Sequence, residues 1–178
     1  EREDARLALD AQAGSHAAFN RLMDKHQGTV LRFLMGHIRN SDDAHDVAQD
    51  TFVAVFKNLE RFDLDRPFLA RLFVIARNKA RDHHRRRKTL NWVGLESERD
   101  DFVAEAPDPE ATALSSGELS RAQDVISKMP EGLRTPLLLS VVDDLPLAQI
   151  GEIMGVSEKA VEVRIYRARK LLKEHFSS

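Results

Sequence analysis

The 178-residue chain contains no cysteine. Disulfides, thiolate metal sites and thiol nucleophiles are thereby excluded, and a reducing cytoplasm is the expected setting. Glycine and proline are scarce, at 8 and 6 residues, and aromatics make up only 6% of the chain, with one Trp and one Tyr. Few breakers leave room for long helices. No stretch alternates apolar and polar residues long enough for a sheet, so the expected fold class is all-α. No run of 18 apolar residues occurs, and no membrane-spanning helix is expected. The opening Glu1-Arg2-Glu3-Asp4 is acidic with no apolar stretch, so no signal peptide is expected there. A start without Met fits a trimmed chain.

Charge is abundant but unevenly placed. The formal net charge of −2 conceals a net −4 over residues 1–65, +8 over 66–88, −7 over 89–124, −2 over 125–156 and +3 over 157–178. Two basic blocks separated by an acidic stretch point to nucleic acid, which the total hides.

Apolar spacing and cap residues predict a short helix over 4–12 and a longer one after Ser15, carrying Phe19, Leu22, Met23, Val30, Phe33 and Leu34. Asn40-Ser41-Asp42-Asp43 caps a third, running to about residue 59, with Ala44, Ala48, Phe52, Val55, Phe56 and Leu59 on its core face. Residues 63–67 read as a loop, followed by a helix over about 68–87. Residues 89–114 hold Gly94, Pro107, Pro109 and seven acidic groups without helical period, as a linker would. Trp92 interrupts that polarity as a candidate docking residue. Helix resumes near Ser115, turns at 129–132 and continues with Pro136 placed in a first turn. Two last helices are expected over about 147–154 and 157–175. The predicted organisation is two small helical domains, 1–88 and 115–178, joined by an acidic linker over 89–114.

The C-terminal pair reads as a helix-turn-helix. Leu147, Ile150 and Ile153 form one stripe, Gly155-Val156 the turn, and Val161, Ile165, Ala168 and Leu172 the stripe of the second helix, which Ser157 caps. Gly151 is small where two helices would approach closely. The opposite face carries Lys159, Glu162, Val163, Tyr166, Arg167 and Lys170, flanked by Arg164 and Arg169. Cations reach phosphates, arginine forks onto guanine, and Glu162 can accept from cytosine N4. A solvated basic hairpin is the plainer alternative, and Tyr166 taken singly fits packing as well as DNA.

The helix at 68–88 buries Leu69, Leu72, Phe73, Ala76 and Ala80 on one side. It turns Arg71, Val74, Asn78, Arg81, Asp82 and Arg85 to the other, and ends in Arg85-Arg86-Arg87-Lys88. Cations suit a helix C-terminus, but a net +8 exceeds what a cap requires, and phosphate neutralisation accounts for it better. His83 and His84 are adjacent and diverge by about 100°, a poor ligand pair, so no metal site is expected. The helix at 42–59 exposes Asp46, Gln49, Asp50 and Lys57 around an apolar Val53. This is either a stray exposed valine or a contact for a basic or mixed helix of a partner.

Taken together, DDAHDVAQDTF (42–52), RFDLDRPF (61–68) and LFVIARNKARDHHRRRK (72–88) resemble domain two of bacterial sigma factors, nearest the compact extracytoplasmic-function (ECF) group. MPEGLRTPLLL (129–139) with LAQIGEIMGVSEKAVEVRIYRARKLL (147–172) resembles domain four. The resemblance covers the chain apart from the linker. It implies that Asp46, Gln49, Asp50 and Val53 dock on a coiled coil of the largest RNA polymerase subunit. It implies that the 63–67 loop and the following helix hold the minus-ten promoter element, with one base flipped into a pocket. Arg71, Arg77, Asn78, Arg81, Arg85 and Arg86 are the candidate residues there. For reading the minus-thirty-five duplex they are Ser157, Lys159, Glu162, Arg164, Tyr166, Arg167 and Lys170. Core RNA polymerase, promoter DNA and an anti-sigma regulator are the implied partners, and the acidic linker would thread a basic channel of the polymerase. No cofactor, metal or catalytic residue is implied. His45 stands where the family usually has Glu, Arg71 where Trp is common, Ala160 where Thr is frequent, and Glu162 where a basic or polar residue is common.

Two rival readings differ in kind. A stand-alone regulator would use residues 115–178 for DNA and the rest for dimerisation or sensing. It would bind duplex tightly without polymerase. An enzyme is disfavoured: no phosphate-cradling glycine loop, zinc-protease helix motif or nucleophile elbow is present.

Overall fold

The computed structural model describes residues 2–63, 66–92, 113–142 and 145–176. Its elements are α1 (Arg2–Gln12), α2 (His16–Met35), α3 (Ser41–Lys57), a 3-10 turn (Leu59–Arg61), α4 (Phe68–Trp92), α5 (Ala113–Lys128), α6 (Glu131–Val142), α7 (Leu147–Met154) and α8 (Glu158–Phe176). No strand occurs among the described residues. The acidic stretch 93–112 and the Trp92 side chain lie outside them.

Caps behave as their residue types require. Ser15 Oγ accepts the Ala18 N–H at 3.2 Å to open α2, and Asn40 Oδ1 accepts the Asp43 N–H at 2.9 Å to open α3. Asp42 and Asp43 then meet the positive end of the α3 dipole. At the far end α3 stops at Lys57, short of residue 59, because Leu59–Arg61 tightens into a 3-10 turn. Gln12 Nε2 holds that turn by donating to the Leu59 and Phe62 carbonyls, both at 2.8 Å.

Three expectations are corrected. The fourth helix continues past residue 87 to Trp92; the first breaker after Pro67 is Gly94. Pro136 is not in a first turn. Helix α6 already begins at Glu131, so Pro136 sits inside it, at the cost of one backbone hydrogen bond. Phe56, assigned to the core face of α3, is 46% exposed. Its ring lies on the edge of Phe19, 5.0 Å between centroids, and beside His16. Val47 and Thr51 are buried on α3 alongside Ala44, Ala48, Phe52 and Val55.

Helices α1 to α4 pack around Leu22, Val30, Phe33 and Leu34 of α2 and Leu72, Phe73 and Ala76 of α4. Phe33 and Phe73 meet edge to face at 5.1 Å and are fully buried. Such a pair adds about 1 kcal/mol to what area burial already provides. Helices α6 and α7 pack on α8 through Leu139, Ile150, Val161 and Ile165. Gly155 ends α7 at φ 67, a left-handed conformation that glycine adopts without strain. A Cβ on Gly151 would stand 2.8 Å from the Val156 carbonyl oxygen, so the turn between α7 and α8 needs glycine there.

The two helical groups do not keep separate cores. Leu138, Leu139, Ile150, Ile153, Val161 and Ile165 belong to the same buried cluster as Leu72 and Phe73. Helix α7 lies on α4, and α6 lies on the end of α2. There the backbone of Gly36 comes so near Leu138 that a Cβ would sit 2.6 Å from its methyls.

Candidate nucleic-acid interface

Helix α3 presents Asp46, Gln49, Asp50 and Val53 as one exposed stripe, with Val53 45% exposed. The i, i+3, i+4, i+7 spacing aligns them along the side away from Ala44, Ala48 and Phe52. His45 is also exposed, and its Nδ1 hydrogen-bonds the Ser41 carbonyl at 2.9 Å. The stripe is thus open to a partner, with a valine framed by acids.

Helix α4 divides its candidate residues into two sets. Asn78 and Arg86 are exposed, and Arg85 is exposed while paired with Asp82. Arg71 and Arg77 are drawn inward. The Arg71 guanidinium lies 4.9 Å from the Phe62 ring centroid, a cation–π contact, and its Nη1 is buried. It borders a pocket of about 350 Å³, beside Asn58, Arg61, Phe62, Arg66, Val74 and Glu152. Arg77 crosses to the other helical group: Nε meets Glu131 Oε1 at 3.3 Å and Nη1 donates to the Ile153 carbonyl at 3.0 Å. Arg81 Nε lies 3.4 Å from the other Glu131 oxygen, and Arg66 reaches Glu152 at 3.5 Å. The helix-turn-helix group therefore covers part of the face assigned to the minus-ten element.

Helix α8 buries Val161, Ile165 and Ala168 and exposes the opposite face as the stripe predicts. Lys159, Glu162, Val163, Tyr166, Arg167, Arg169 and Lys170 are all exposed, Tyr166 by 69%, while Arg164 is half-buried. Tyr166 is thus not a packing residue. Ser157 Oγ accepts the Ala160 N–H at 3.3 Å, so its side chain is engaged as the cap. Glu162 receives the Lys159 ammonium at 2.7 Å, which would compete with any hydrogen bond from cytosine. That bond and the Glu162 charge raise the Lys159 pKa.

The residues that join the two groups were missed by pattern reading. They include Glu131, Asp124 (paired with Arg39 at 2.8 Å) and His37. None carries a local signal, because each partner lies far away in sequence. His37 is 4% exposed at the seam. Phe33 on α2 packs against its ring, Thr135 on α6 lies 3.5 Å from its Nε2, and its charged neighbours are Arg134 on α6 with Arg77 and His84 on α4. Burial, then the charges of Arg134, His84 and Arg77, push the His37 pKa well below 6.5. Burial and the charges of Arg134 and His83 also lower His84, against a backbone hydrogen bond at His37 and the Glu131 charge. His83 instead faces Asp43 at 3.5 Å.

A histidine held neutral in the folded chain contributes full stability above its unfolded pKa near 6.5. That stability is lost as pH falls below it toward the depressed folded value. Chemical denaturation should therefore show the chain losing about 1 kcal/mol per pH unit below 6.5 on account of His37. The His37→Gln variant should have a flatter profile over that window. Parallel profiles would mean that His37 takes up a proton without opposing the fold.

Two helical groups, each presenting a cationic helix and one built as a helix-turn-helix, define a two-module DNA-binding protein. Residues 22–89 match the Sigma-70 region 2 family and residues 119–172 match Sigma-70 region 4. The chain is 35% identical over 175 residues to the RNA polymerase sigma factor CnrH of Cupriavidus metallidurans, covering 95% of this chain and 92% of that one. It is 29% identical to the ECF RNA polymerase sigma factor SigW of Bacillus subtilis, over 90% of each. Among solved structures, CnrH in complex with the cytosolic domain of CnrY superposes with a TM-score of 0.76 at 31% identity, covering 98% of this chain and 97% of that one. The sigma factor RpoE in complex with the anti-sigma factor NepR from Bartonella quintana shares the fold, with a TM-score of 0.74 at 20% identity, covering 89% and 96% of the two chains. The chain belongs to the sigma-70 family of RNA polymerase sigma factors, in its ECF group. It is a transcription initiation factor, not an enzyme, and its partners are core RNA polymerase and promoter DNA.

Proposed function

We propose that the division of labour within this sigma factor follows its three exposed stripes. Residues 1–88 dock on polymerase through Asp46, Gln49, Asp50 and Val53, and hold the melted minus-ten strand on α4 through Asn78, Arg81, Arg85 and Arg86. Arg77 joins them once it leaves Glu131. Arg71 with Phe62 borders the small pocket beside Arg66 and fits the place of an unstacked base. Residues 115–178 read the minus-thirty-five duplex with Lys159, Glu162, Val163, Arg164, Tyr166, Arg167 and Lys170, with Ser157 setting the start of that helix. Residues 89–114 tether the two. The protein acts in the cytoplasm, where the polymerase works.

The observation that carries this reading is the pairing of Arg77 and Arg81 with Glu131. On this reading, the α4 face that holds DNA carries arginines paired with the second helical group. The arrangement is that of a factor at rest, and binding to polymerase must separate the groups. Two weak modules on one tether then gain by effective concentration when the promoter spacing suits both. An anti-sigma protein, as NepR is to RpoE, would act by holding the groups away from polymerase.

The test is to mix the chain with core polymerase and fragmented genomic DNA and to sequence what is retained and transcribed. Fragments sharing a pair of spaced elements, retained only with both proteins present, are expected. Equal retention without polymerase would favour a stand-alone regulator. Within this assay Arg167→Ala should lower transcription from a selected promoter about tenfold, the effect of losing one base contact, with polymerase affinity unchanged. Full transcription would remove Arg167 from the reading face.

A further inference from the structure

The seam between the two helical groups contains a cleft of about 680 Å³, within the range of small-molecule sites. One wall is α4, which sets Arg77, Arg81 and Arg85 at successive turns with Lys88 just beyond; the other is α6, with Glu131 and Arg134. Four residues make slightly more than one turn, so this ladder of cations spans roughly 16 Å along the helix. Five permanent cations face two carboxylates there, Glu131 and Asp82.

Arg134 is 8% exposed. It donates to the Ser127 carbonyl at 2.9 Å, capping the end of α5, but its buried Nε has no hydrogen-bond partner. The Glu131 carboxylate nearby is turned to Arg77 and Arg81. His84 Nε2 in the same cleft is likewise buried without a partner. A buried guanidinium without an anion is costly, and an unmet N–H in a lined cavity calls for an acceptor. Both cleft histidines are held toward the neutral form, in part by the positive charge of Arg134.

We propose that this cleft binds a small oligophosphate, the di- or triphosphate group of a phosphorylated metabolite, held between the α4 ladder and Arg134. A lone phosphate spans one rung of the ladder, whereas linked phosphates span several, so affinity rises with chain length. The bound anion ties α4 to α6 and keeps the helical groups closed. This consequence for transcription rests on the reading of α4 as the minus-ten helix; the binding itself does not.

The test uses the full chain alone and inorganic tripolyphosphate, pyrophosphate and orthophosphate, titrated by calorimetry at fixed ionic strength. Saturable binding is expected, strongest for tripolyphosphate and weakest for orthophosphate. Arg134→Gln should weaken it about tenfold or more, the equivalent of one charge-assisted hydrogen bond. Because that variant also loses the α5 cap, the exposed Lys88→Gln supplies an independent loss of affinity without that burden. Glu131→Gln should tighten binding severalfold by removing the competing carboxylate. Bound tripolyphosphate should also shift the His84 imidazole titration upward by NMR. Equal weak affinity for all three anions, or affinity unmoved by Arg134→Gln and Lys88→Gln, would overturn the site. Since neither polymerase nor DNA is present, that failure would leave the promoter reading intact. A chain that bound the anions but selected no promoter would sink the promoter reading alone.

Discussion

The Phe73→Ala chain is expected to lose about 3–5 kcal/mol of folding stability, the range for removing a buried phenylalanine that leaves a cavity. Phe73 is fully buried, its ring stands edge to face with Phe33, and it sits in the cluster that also contains Ile150 and Val161. A domain of ordinary stability has only about 5–15 kcal/mol in total. Denaturant unfolding followed by helical circular dichroism should show the loss as a lowered midpoint with the slope retained. The continuous core makes a further demand. Helices α6 to α8 should lose protection from hydrogen exchange along with α1 to α4, although no residue of α6 or α8 is altered. A loss below about 1 kcal/mol would mean that the site collapses around the cavity. Protection lost in α1 to α4 alone would mean that the two groups unfold independently.

The Asp50→Lys chain should bind core polymerase about 100-fold more weakly, because setting like charges against each other at an interface costs several kcal/mol. Asp50 is exposed at the middle of the α3 stripe beside Val53 and Asp46, so the change leaves the core of α3 untouched. Folding stability should move by no more than about 0.5 kcal/mol, as for ordinary surface changes. Competition against an unaltered sigma factor for limiting polymerase would measure the effect. Wild-type affinity would place the docking surface elsewhere than on α3. Raised salt should weaken the wild-type complex while leaving the variant less affected, since the screened attraction is the one removed.

Local rules explain where pattern reading succeeded. Ser15, Asn40 and Ser157 were legible as caps because a short polar side chain before an apolar stripe has one obvious use, the free N–H groups of the first turn. The α8 stripe of Val161, Ile165 and Ala168 and its cationic opposite face follow from period alone. Phe56 departs from its expected place for a related reason. At an interval of one residue from Val55 it lies on the edge of the apolar arc, and only the neighbours at that edge decide whether it is covered. Pro136 differs from its expected place because Glu131 and Gly132 look like a turn, yet helix forms around them once α6 has α2 and α8 to pack on.

From its sequence alone this protein is an all-helical chain with two cationic helices and an acidic stretch between them. Helical period, caps and charge placement are properties of neighbours in the chain, and they survive being read without a fold. The meeting of the two helical groups is of another kind. Arg77 finds Glu131 and Ile153, His37 finds Thr135, and Gly36 admits Leu138, across separations of 54 to 102 residues. No periodicity records such pairs. They exist because α4 and the end of α2 offer apolar surface that α6 and α7 can cover. Once that burial sets the helices side by side, it brings Arg134 and the α4 cations to opposite walls of one cleft.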